Sequence, residues 1–259
     1  MQERHTDRML YFRELAATCK CYFIPYIQQW HKIEAEMNIL EIGCGEGGNL
    51  LPFAKLECRT TGVDIAACRI EEAKRYFDAN QAKGEFIAED VFMLDGLENK
   101  YDVIICHDVI EHIADKDALL LKIRSFLKAD GVVFMAFPAW QMPFGGHQQI
   151  CKSHVLSHLP FVHLLPVRFY ETMIRLFRES AECASELQAI RRTRITTETF
   201  ERLVSRTKLS IKHRQLWLVN PHYEAKFGLR PRRLPYLLSS IPYLRNFLSS
   251  SCFYMLATK

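Results

Sequence analysis

Residues 39–48 read ILEIGCGEGG, an apolar strand pattern that runs directly into a glycine-rich turn. Gly43, Gly45 and Gly48 fit the spacing G-x-G-x-x-G, and Asp64 follows about twenty residues further on. This order is typical of a strand, a phosphate-style turn and a helix in a Rossmann-like unit. The pattern predicts a site for an adenosine-containing cofactor and leaves the cofactor's identity open.

The rest of the first half alternates short apolar runs with helical patterns, the order that builds parallel βαβ units. We therefore expect an α/β fold with a doubly wound, mostly parallel, seven-stranded sheet and helical cap insertions. Ligands of such sheets bind where the strands' carboxyl ends meet. The predicted strands are Asn38–Ile42, Thr60–Asp64, Gly84–Ala88, Tyr101–Cys106 and Gly131–Phe137, with Leu209–Val219 and Phe253–Thr258 as an antiparallel pair; the predicted helices are Gly47–Glu57, Ala66–Ala79, Asp115–Lys128 and Thr196–Thr207.

Four parts are expected along the chain. Residues 1–37 form an N-terminal helical cap, and residues 38–138 form the cofactor-binding core. Residues 139–194 are too long for an ordinary connection and are interpreted as a helical cap over the substrate. Residues 195–259 complete the sheet and contain a second insertion at 220–251.

The charge beside the glycine turn separates two classes of cofactor. A dinucleotide would place its pyrophosphate at the helix N-terminus, where backbone N–H groups favour an anion. Glu41 precedes the first glycine and Glu46 lies within the turn, so their carboxylates would repel a pyrophosphate. A cofactor with an ammonium and a sulfonium, such as S-adenosyl-L-methionine, would be attracted instead. A nicotinamide-dependent (NAD(P)) oxidoreductase is the alternative interpretation.

Four motifs in order resemble the class I S-adenosylmethionine-dependent methyltransferases, especially the small-molecule group that includes quinone-biosynthesis enzymes. They are residues 41–47 (EIGCGEG), 62–65 (GVDI), 89–91 (EDV) and 101–113 (YDVIICHDVIEHI). The resemblance implies methylation of a small-molecule acceptor and leaves O-, C- and N-methylation open. A cofactor-binding module without catalysis is a further alternative.

The resemblance also implies how the methionine and ribose parts of the cofactor are held. Backbone at Gly43, Cys44 and Gly45 would lie against them, because a turn without bulky side chains permits close approach. Asp64 would accept hydrogen bonds from both ribose hydroxyls, and the carbonyl of His107 would hold the ammonium. Taken alone, Asp64 is equally typical of a helix N-cap.

For the adenine, the resemblance implies three neighbouring contacts. Ile65 would pack on one face of the ring, Asp90 would accept from the exocyclic amine, and the Val91 N–H would donate to the ring. Taken alone, Asp90 is equally typical of a turn.

Asp108 and His112 follow the fourth predicted strand, at the edge where the methyl group should point. Methyl transfer mainly needs alignment and exclusion of water, because the leaving group is a neutral thioether. A hydroxyl or acidic-carbon acceptor also benefits from a base, and we take His112 as that base with Asp108 beside it. The alternative is a histidine that only packs or hydrogen-bonds.

His147 lies in the first insertion and is expected to line the acceptor pocket, the alternative being plain cap packing. The spacing of Cys151, His154 and His158 also permits a zinc site on one helix face. Prolines interrupt this segment and residues 139–170 contain no Asp or Glu, so no metal is expected.

Charge divides unequally along the chain. Residues 1–138 carry 16 Lys/Arg against 23 Asp/Glu, whereas residues 139–259 carry 18 against 7. The basic half also has apolar and aromatic runs, which suits an acceptor with an apolar body and an anionic group, or transient contact with acidic lipid. Stable nucleic-acid binding is not expected, because the fourth strand is followed by His-Asp-Val-Ile and not by the Asn/Asp-Pro-Pro-aromatic motif of base methyltransferases of similar fold.

The nine cysteines are scattered and contain no C-x-x-C pair, which is typical of a reducing compartment. The N-terminal residues are charged and lack the apolar core of a signal peptide, and no apolar run is long enough to span a membrane. These features predict a cytoplasmic protein.

Overall fold

A mixed sheet of eight strands forms the centre of the computed structural model, which describes residues 7–259. The strands are β1 (Asn38–Ile42), β2 (Arg59–Asp64), β3 (Glu85–Ala88), β4 (Tyr101–His107), β5 (Leu127–Phe137), β6 (Leu209–Val219), β7 (Arg232–Arg233) and β8 (Ser251–Thr258). Their order across the sheet is β3-β2-β1-β4-β5-β8-β6-β7. The predicted α/β class is confirmed.

The first five strands are parallel to one another, and β8 and β6 follow as an antiparallel pair. The carboxyl ends of β1 to β4 therefore meet at one edge of the sheet. Each of the seven predicted strands overlaps an observed one, and β1 and β6 agree at both ends.

The prediction of seven strands is wrong by one. The additional strand, β7, consists of two exposed arginines and pairs with β6 at the sheet edge, within the segment predicted as a second insertion. Two charged residues carry no alternation of apolar and polar positions, so the sequence pattern gives no signal for this strand.

Helices fill the connections and cover both faces of the sheet. In α4, the residues Ile70, Ala73 and Phe77 recur at helical spacing and are buried. The predicted N-cap Thr196 is confirmed, since its Oγ1 accepts from the Thr199 N–H at 3.1 Å. The helices are α1 (Arg8–Thr18), α2 (Ile24–Ile27), α3 (Leu50–Lys55), α4 (Ala67–Ala79), α5 (Lys116–Phe126), α6 (His154–His158), α7 (Val167–Leu176), α8 (Ala181–Thr193), α9 (Thr197–Arg206), α10 (His222–Phe227), α11 (Tyr236–Ser239) and α12 (Leu244–Leu248).

The N-terminal segment packs against the glycine turn. A π-helical turn, Cys19–Phe23, joins α1 to α2. A Cβ on Gly48 would lie 2.7 Å from the carbonyl oxygen of Phe12, so α1 approaches the turn more closely than any side chain there would allow. The first six residues of the predicted N-terminal cap lie outside the described residues.

The core alternates along each strand, as a sheet covered on both faces requires. In β1, Leu40 and Ile42 join one buried cluster, whereas Ile39 joins the cluster on the other face with Phe12 and Phe23 of the N-terminal segment. Glu41 shares the face of Ile39, so its side chain points toward the N-terminal segment. Within residues 7–259, no helix has both the length and the apolar character needed to cross a membrane.

Candidate active site

The four motifs meet at the carboxyl edge of β1 to β4. Gly43 follows β1, Asp64 ends β2, Asp90 follows β3 and His107 ends β4. These four strands are adjacent and parallel. Motif residues that are spread over about seventy positions of the chain therefore come together at one edge of the sheet.

The glycine turn is fixed by conformation and by close contacts. Gly43, Gly45 and Gly47 have φ values of +70°, +51° and +81°. A Cβ on Gly43 would lie 2.3 Å from Cγ2 of Val109, which follows β4. Any other residue at Gly43 would both strain the backbone and push β1 away from the loop after β4.

Asp64 ties the turn to the start of the next helix. One carboxylate oxygen accepts from the Gly45 N–H at 2.9 Å, and the other accepts from the Ala66 N–H at 2.9 Å. A carboxylate has about four acceptor sites, so both oxygens keep capacity for a ligand. The ribose role of Asp64 stays a prediction alongside its role in the turn.

The three residues predicted at the adenine lie at the ends of β2 and β3. Ile65 is 75% exposed and offers an apolar face to a ring. The Asp90 carboxylate accepts from the Phe92 N–H at 3.0 Å, as its turn interpretation predicts, and Val91 is buried beside it. Their adenine contacts stay predictions.

Glu41 is a buried carboxyl at the glycine turn. Its exposed fraction is 1%, one oxygen accepts from the Asn49 side chain at 2.7 Å, and the other has no hydrogen-bond partner among residues 7–259. Burial raises the pKa of Glu41 from 4.5 to about 8, against the opposing effect of the Asn49 hydrogen bond. At neutral pH the group therefore carries a proton, and a cation placed beside it would favour its ionisation.

Glu46 is buried within the turn and pairs with the N-terminal helix. The Arg8 guanidinium lies 3.4 Å from one Glu46 oxygen, and neither oxygen accepts a hydrogen bond from the described residues. From the sequence, both glutamates were expected to repel a pyrophosphate as carboxylates. In the structure Arg8 partly compensates the Glu46 charge and Glu41 is protonated at neutral pH, so this repulsion is weaker than expected. What favours a cationic ligand here is that a nearby positive charge stabilises the ionised form of Glu41.

A cavity of about 530 Å³ opens beside the turn. Its wall combines α1, α4, the loop after β4 and both insertions. The charged and polar residues in this wall include Arg8, Tyr11, Arg69, Asp108, His147 and Lys226. A groove of about 1020 Å³ lies at the opposite edge, around the strand starts Asn38 and Arg59, and its described lining contains no predicted site residue.

Asp108 lines this cavity, and the buried His107 lies directly behind it. Asp108 has a φ of +54°, and its carboxylate lies 3.4 Å from the Nε2 of His107. The His107 ring is buried against Phe23, with ring centroids 4.9 Å apart. The left-handed backbone at Asp108 turns its carboxylate, which is about half exposed, toward the cavity.

His112 and His147 face each other although 35 residues separate them in sequence. Their ring centroids are 5.1 Å apart, nearly perpendicular. Partial burial lowers the pKa of His112 below 6.5, and burial followed by the neighbouring His112 lowers that of His147 to about 4. Both rings are therefore neutral at pH 7 and able to accept a proton or bind a cation.

Glu111 completes a cluster that sequence reasoning missed. Its side chain is buried, neither carboxyl oxygen has a hydrogen-bond partner in the part of the chain that the structure describes, and burial raises its pKa well above 4.5. Ligand atoms of Glu111, His112 and His147 all lie within 4.8 Å of one another. Residues 139–170 contain no Asp or Glu, and the fold supplies the carboxyl group from the loop after β4.

The zinc arrangement considered from the sequence is not assembled. His154 and His158 stack on each other at 4.2 Å between ring centroids, and Cys151 contacts Cys183 instead. In the described part of the chain, neither group of potential metal ligands includes these two histidines.

Tyr11 and Arg69 are further wall residues that the sequence did not single out. Burial raises the pKa of Tyr11 above 10, and the next largest effect comes from Asp108, so α1 faces the loop after β4 across the cavity. Single polar residues within a helix give no sequence signal for such a contact, which depends on how α1 folds back over the sheet.

Comparisons with known proteins identify the family of this chain. A family model described as a methyltransferase domain matches residues 33–200. The ubiquinone biosynthesis O-methyltransferase of Chelativorans sp. (strain BNC1) is 32% identical over 124 residues, 48% of this chain and 49% of that protein. The protein of that name from Bartonella quintana (strain Toulouse) is 30% identical over 121 residues, 45% of this chain and 49% of that protein.

The chain spans about half the length of these curated relatives. Among solved structures, the magnesium protoporphyrin IX methyltransferase of Synechocystis PCC 6803 with bound SAH aligns with a TM-score of 0.55 at 14% identity, over 93% of this chain and 81% of that one. At this identity the likeness shows a shared fold.

Proposed function

This chain belongs to the methyltransferase domain family, and from that premise we propose that it transfers the methyl group of S-adenosyl-L-methionine to a small-molecule acceptor. The observation that carries the proposal is the buried Glu41 carboxyl at the glycine turn, one oxygen of which has no hydrogen-bond partner among residues 7–259. The turn lies next to the cavity through Arg69, which lines the cavity and would lie 3.6 Å from a Cβ on Gly45. A cationic cofactor stabilises the ionised form of this group, whereas a pyrophosphate would oppose it.

The cofactor would lie along the edge formed by the ends of β1 to β4. We assign Gly43, Cys44 and Gly45 to its methionine and ribose parts, and Asp64 to the ribose hydroxyls. The adenine would lie over Ile65, with Asp90 and Val91 at its polar edge, and the His107 carbonyl would take the ammonium. The 75% exposure of Ile65 and the spare acceptor capacity of Asp64 support these roles.

The methyl group would then point into the cavity toward Asp108. We assign His112 as the base for a hydroxyl or acidic-carbon acceptor, with Asp108 and His147 beside it. The lowered pKa of His112 keeps its imidazole neutral at pH 7, which is the form that accepts a proton. The relatives' names, which specify O-methyltransferases, make a hydroxyl oxygen the acceptor atom to test first.

A second role for His112 is favoured by the cluster with Glu111 and His147. Two neutral imidazoles and a carboxyl group whose oxygens accept no hydrogen bond from residues 7–259 are a donor set suited to a divalent cation. A bound cation would lower the pKa of an acceptor hydroxyl. Dialysis against EDTA followed by addition of Mn²⁺, a cation that does not select thiolate ligands, distinguishes the roles: a ligand set loses activity that Mn²⁺ restores, whereas Mn²⁺ leaves the activity of a base unchanged.

We further propose that the acceptor combines an apolar body with an anionic group. Met142, Phe144 and Ile150 of the first insertion line the cavity, and Arg69 and Lys226 bring positive charge to it. A neutral polar acceptor would leave these apolar side chains in contact with polar groups.

Contact with acidic lipid is proposed for an exposed surface of the second insertion. Tyr236 and Leu237 are 82% and 78% exposed, next to exposed Arg232 and Arg233. We expect flotation with phosphatidylglycerol vesicles and not with phosphatidylcholine vesicles. Leu237→Asp should abolish flotation, while the control Leu56→Asp, at an exposed site after α3, should leave it unchanged.

The cytoplasm is the proposed compartment, and the nine free cysteines support it.

The experiment that tests the proposed activity is product analysis with methyl-labelled cofactor. The protein is incubated with labelled S-adenosyl-L-methionine and a cell extract separated into small-molecule fractions, with Asp64→Ala as the control that impairs cofactor binding. Label should pass to an organic-soluble, anionic product in the wild type alone. Transfer of label only to protein or nucleic acid would refute the small-molecule proposal.

A further inference from the structure

The first insertion contains a small hydrophobic core of its own, separate from the two cores of the sheet. It is built from α6, α7, α8 and the loop before α6. Clusters of this size contribute little stability by themselves, and small modules commonly add a metal or a disulfide. The core consists of Cys151, Leu156, Val162, Tyr170, Ile174 and Leu187, with Cys183 packed against it.

Two thiols and a carboxylate meet at one side of this core. The Sγ atoms of Cys151 and Cys183 are 4.0 Å apart. Glu179 lies beside the two cysteines, and the potential ligand atoms of these three residues all lie within 4.8 Å of one another. The Glu179 carboxylate is held in place by the N–H groups of Lys152 and Ser153, at 2.9 Å and 2.8 Å.

The sulfur separation matches a shared cation. In a tetrahedral site with Zn–S bonds of about 2.3 Å, two sulfurs are about 3.8 Å apart, whereas a disulfide requires about 2.05 Å. The observed 4.0 Å is close to the first value. The hydroxyl of Tyr170 is buried in the same core and has no hydrogen-bond partner among the described residues, and burial, followed by the nearby Cys151, raises its pKa.

We propose that Cys151, Cys183 and Glu179 form a binding site for a thiophilic divalent cation of the zinc class. Binding displaces one proton from each thiol to solvent, and two thiolates with one carboxylate then hold the cation. A water molecule supplies the fourth ligand and accepts the hydrogen bond that the Tyr170 hydroxyl otherwise lacks. The thiolates and the carboxylate thus bind the cation directly, and the phenol contacts it through the water molecule.

The cation would fix one wall of the acceptor cavity. Cys151 directly follows Ile150, which lines the cavity, and Cys183 lies in the first turn of α8. At the other end of α8, the Thr193 hydroxyl donates to the carbonyl of Glu111 at 2.5 Å. The site is distinct from the Glu111 cluster and supports the wall without touching the reacting groups.

The test is cobalt substitution of the full chain, followed by ultraviolet and visible spectroscopy. Metal-free protein titrated with Co²⁺ should develop a thiolate-to-cobalt charge-transfer band in the near ultraviolet, and Zn²⁺ should displace it. Only thiolate ligands produce this band, so cobalt bound at the Glu111 cluster does not contribute. Because this titration uses the wild-type protein, its result does not depend on whether a variant folds.

Variants then assign the ligands. Cys183→Ser should abolish the band and reduce zinc affinity by more than the roughly 100-fold that loss of an outer partner costs. Glu179→Gln should weaken zinc binding and keep the sulfur band. The matched control is Cys21→Ser, which removes an exposed thiol in the N-terminal segment and should change neither measurement.

Two outcomes would overturn the proposal. One is a wild-type titration without a charge-transfer band, or a band of full intensity in Cys183→Ser. The other is isolation of the protein with Cys151 and Cys183 joined as a disulfide that, after reduction, still binds no zinc.

Discussion

Replacing Glu41 with glutamine should stabilise the free protein and weaken its hold on the cofactor. Burial raises the pKa of Glu41 from 4.5 to about 8, so the folded chain keeps a proton that the unfolded chain loses between these values. A carboxyl whose folded pKa is raised costs stability as pH rises through this window, by about 1.4 kcal/mol per pH unit. At pH 7 the accumulated cost is about 3 kcal/mol.

The assay is urea unfolding of the wild type and Glu41→Gln at pH 5, 6, 7 and 8. The difference in unfolding free energy should grow in favour of Glu41→Gln by about 1.4 kcal/mol per unit, whatever constant offset the amide itself introduces. Glu85→Gln, at an exposed position of β3, is the control and should parallel the wild type. A difference that stays constant from pH 5 to pH 8 would refute the reasoning.

The same change should alter binding. Calorimetry at pH 7 in buffers of different ionisation enthalpy should detect release of up to about one proton when S-adenosyl-L-methionine binds the wild type, and none for Glu41→Gln. The affinity of the variant should be lower by about tenfold, the value of one charge-assisted contact. Equal proton release by both proteins would exclude Glu41 as the group that responds to the cofactor.

Three further changes test other parts of the account. Gly43→Ala should lower the free energy of unfolding by about 2–4 kcal/mol, because a Cβ at this φ of +70° would also clash with Val109. The control Gly96→Ala has a φ of +73° and nothing within 4 Å of the added Cβ, so it should lower that free energy by about 1 kcal/mol, and thermal unfolding measures both. His112→Gln should lower kcat about 10²–10⁴-fold and remove the fall in rate that occurs in acid, below the usual pKa of 6.5; an unchanged pH profile would exclude the base role. Asn246→Ala should lower the free energy of urea unfolding by about 2–4 kcal/mol, because the fully buried amide makes four hydrogen bonds. The control Ser205→Ala, at an exposed position, should lower it by less than about 0.5 kcal/mol.

Local patterns predicted the sheet well where apolar runs end at clear turns. β1 lies between a turn at residues 35–36 and the glycine turn, and both of its ends were predicted correctly. The predicted helix at Gly47–Glu57 begins only at Leu50, because Gly47 has a φ of +81° that an α-helix cannot contain. The strand β5 begins four residues earlier than expected, in the last turn of a predicted helix.

The candidate site was predictable to the extent that it follows from strand ends. Parallel strands bring their carboxyl ends together, so the order of motifs was enough to place Gly43, Asp64 and His107 at one edge. Contacts between distant segments were not predictable, because no local pattern records them. The ion pair of Arg8 with Glu46 and the contact of Cys151 with a cysteine 32 residues away are examples.

The electrostatic character of the glycine turn is tested most directly by equilibrium titration of the purified chain with S-adenosyl-L-methionine and with NAD⁺ under the same conditions. Saturable binding of S-adenosyl-L-methionine at one site, with affinity at least about 100-fold above that for NAD⁺, is the predicted result. Tighter binding of NAD⁺ would contradict the account, because a diphosphate would then occupy the turn beside Glu41.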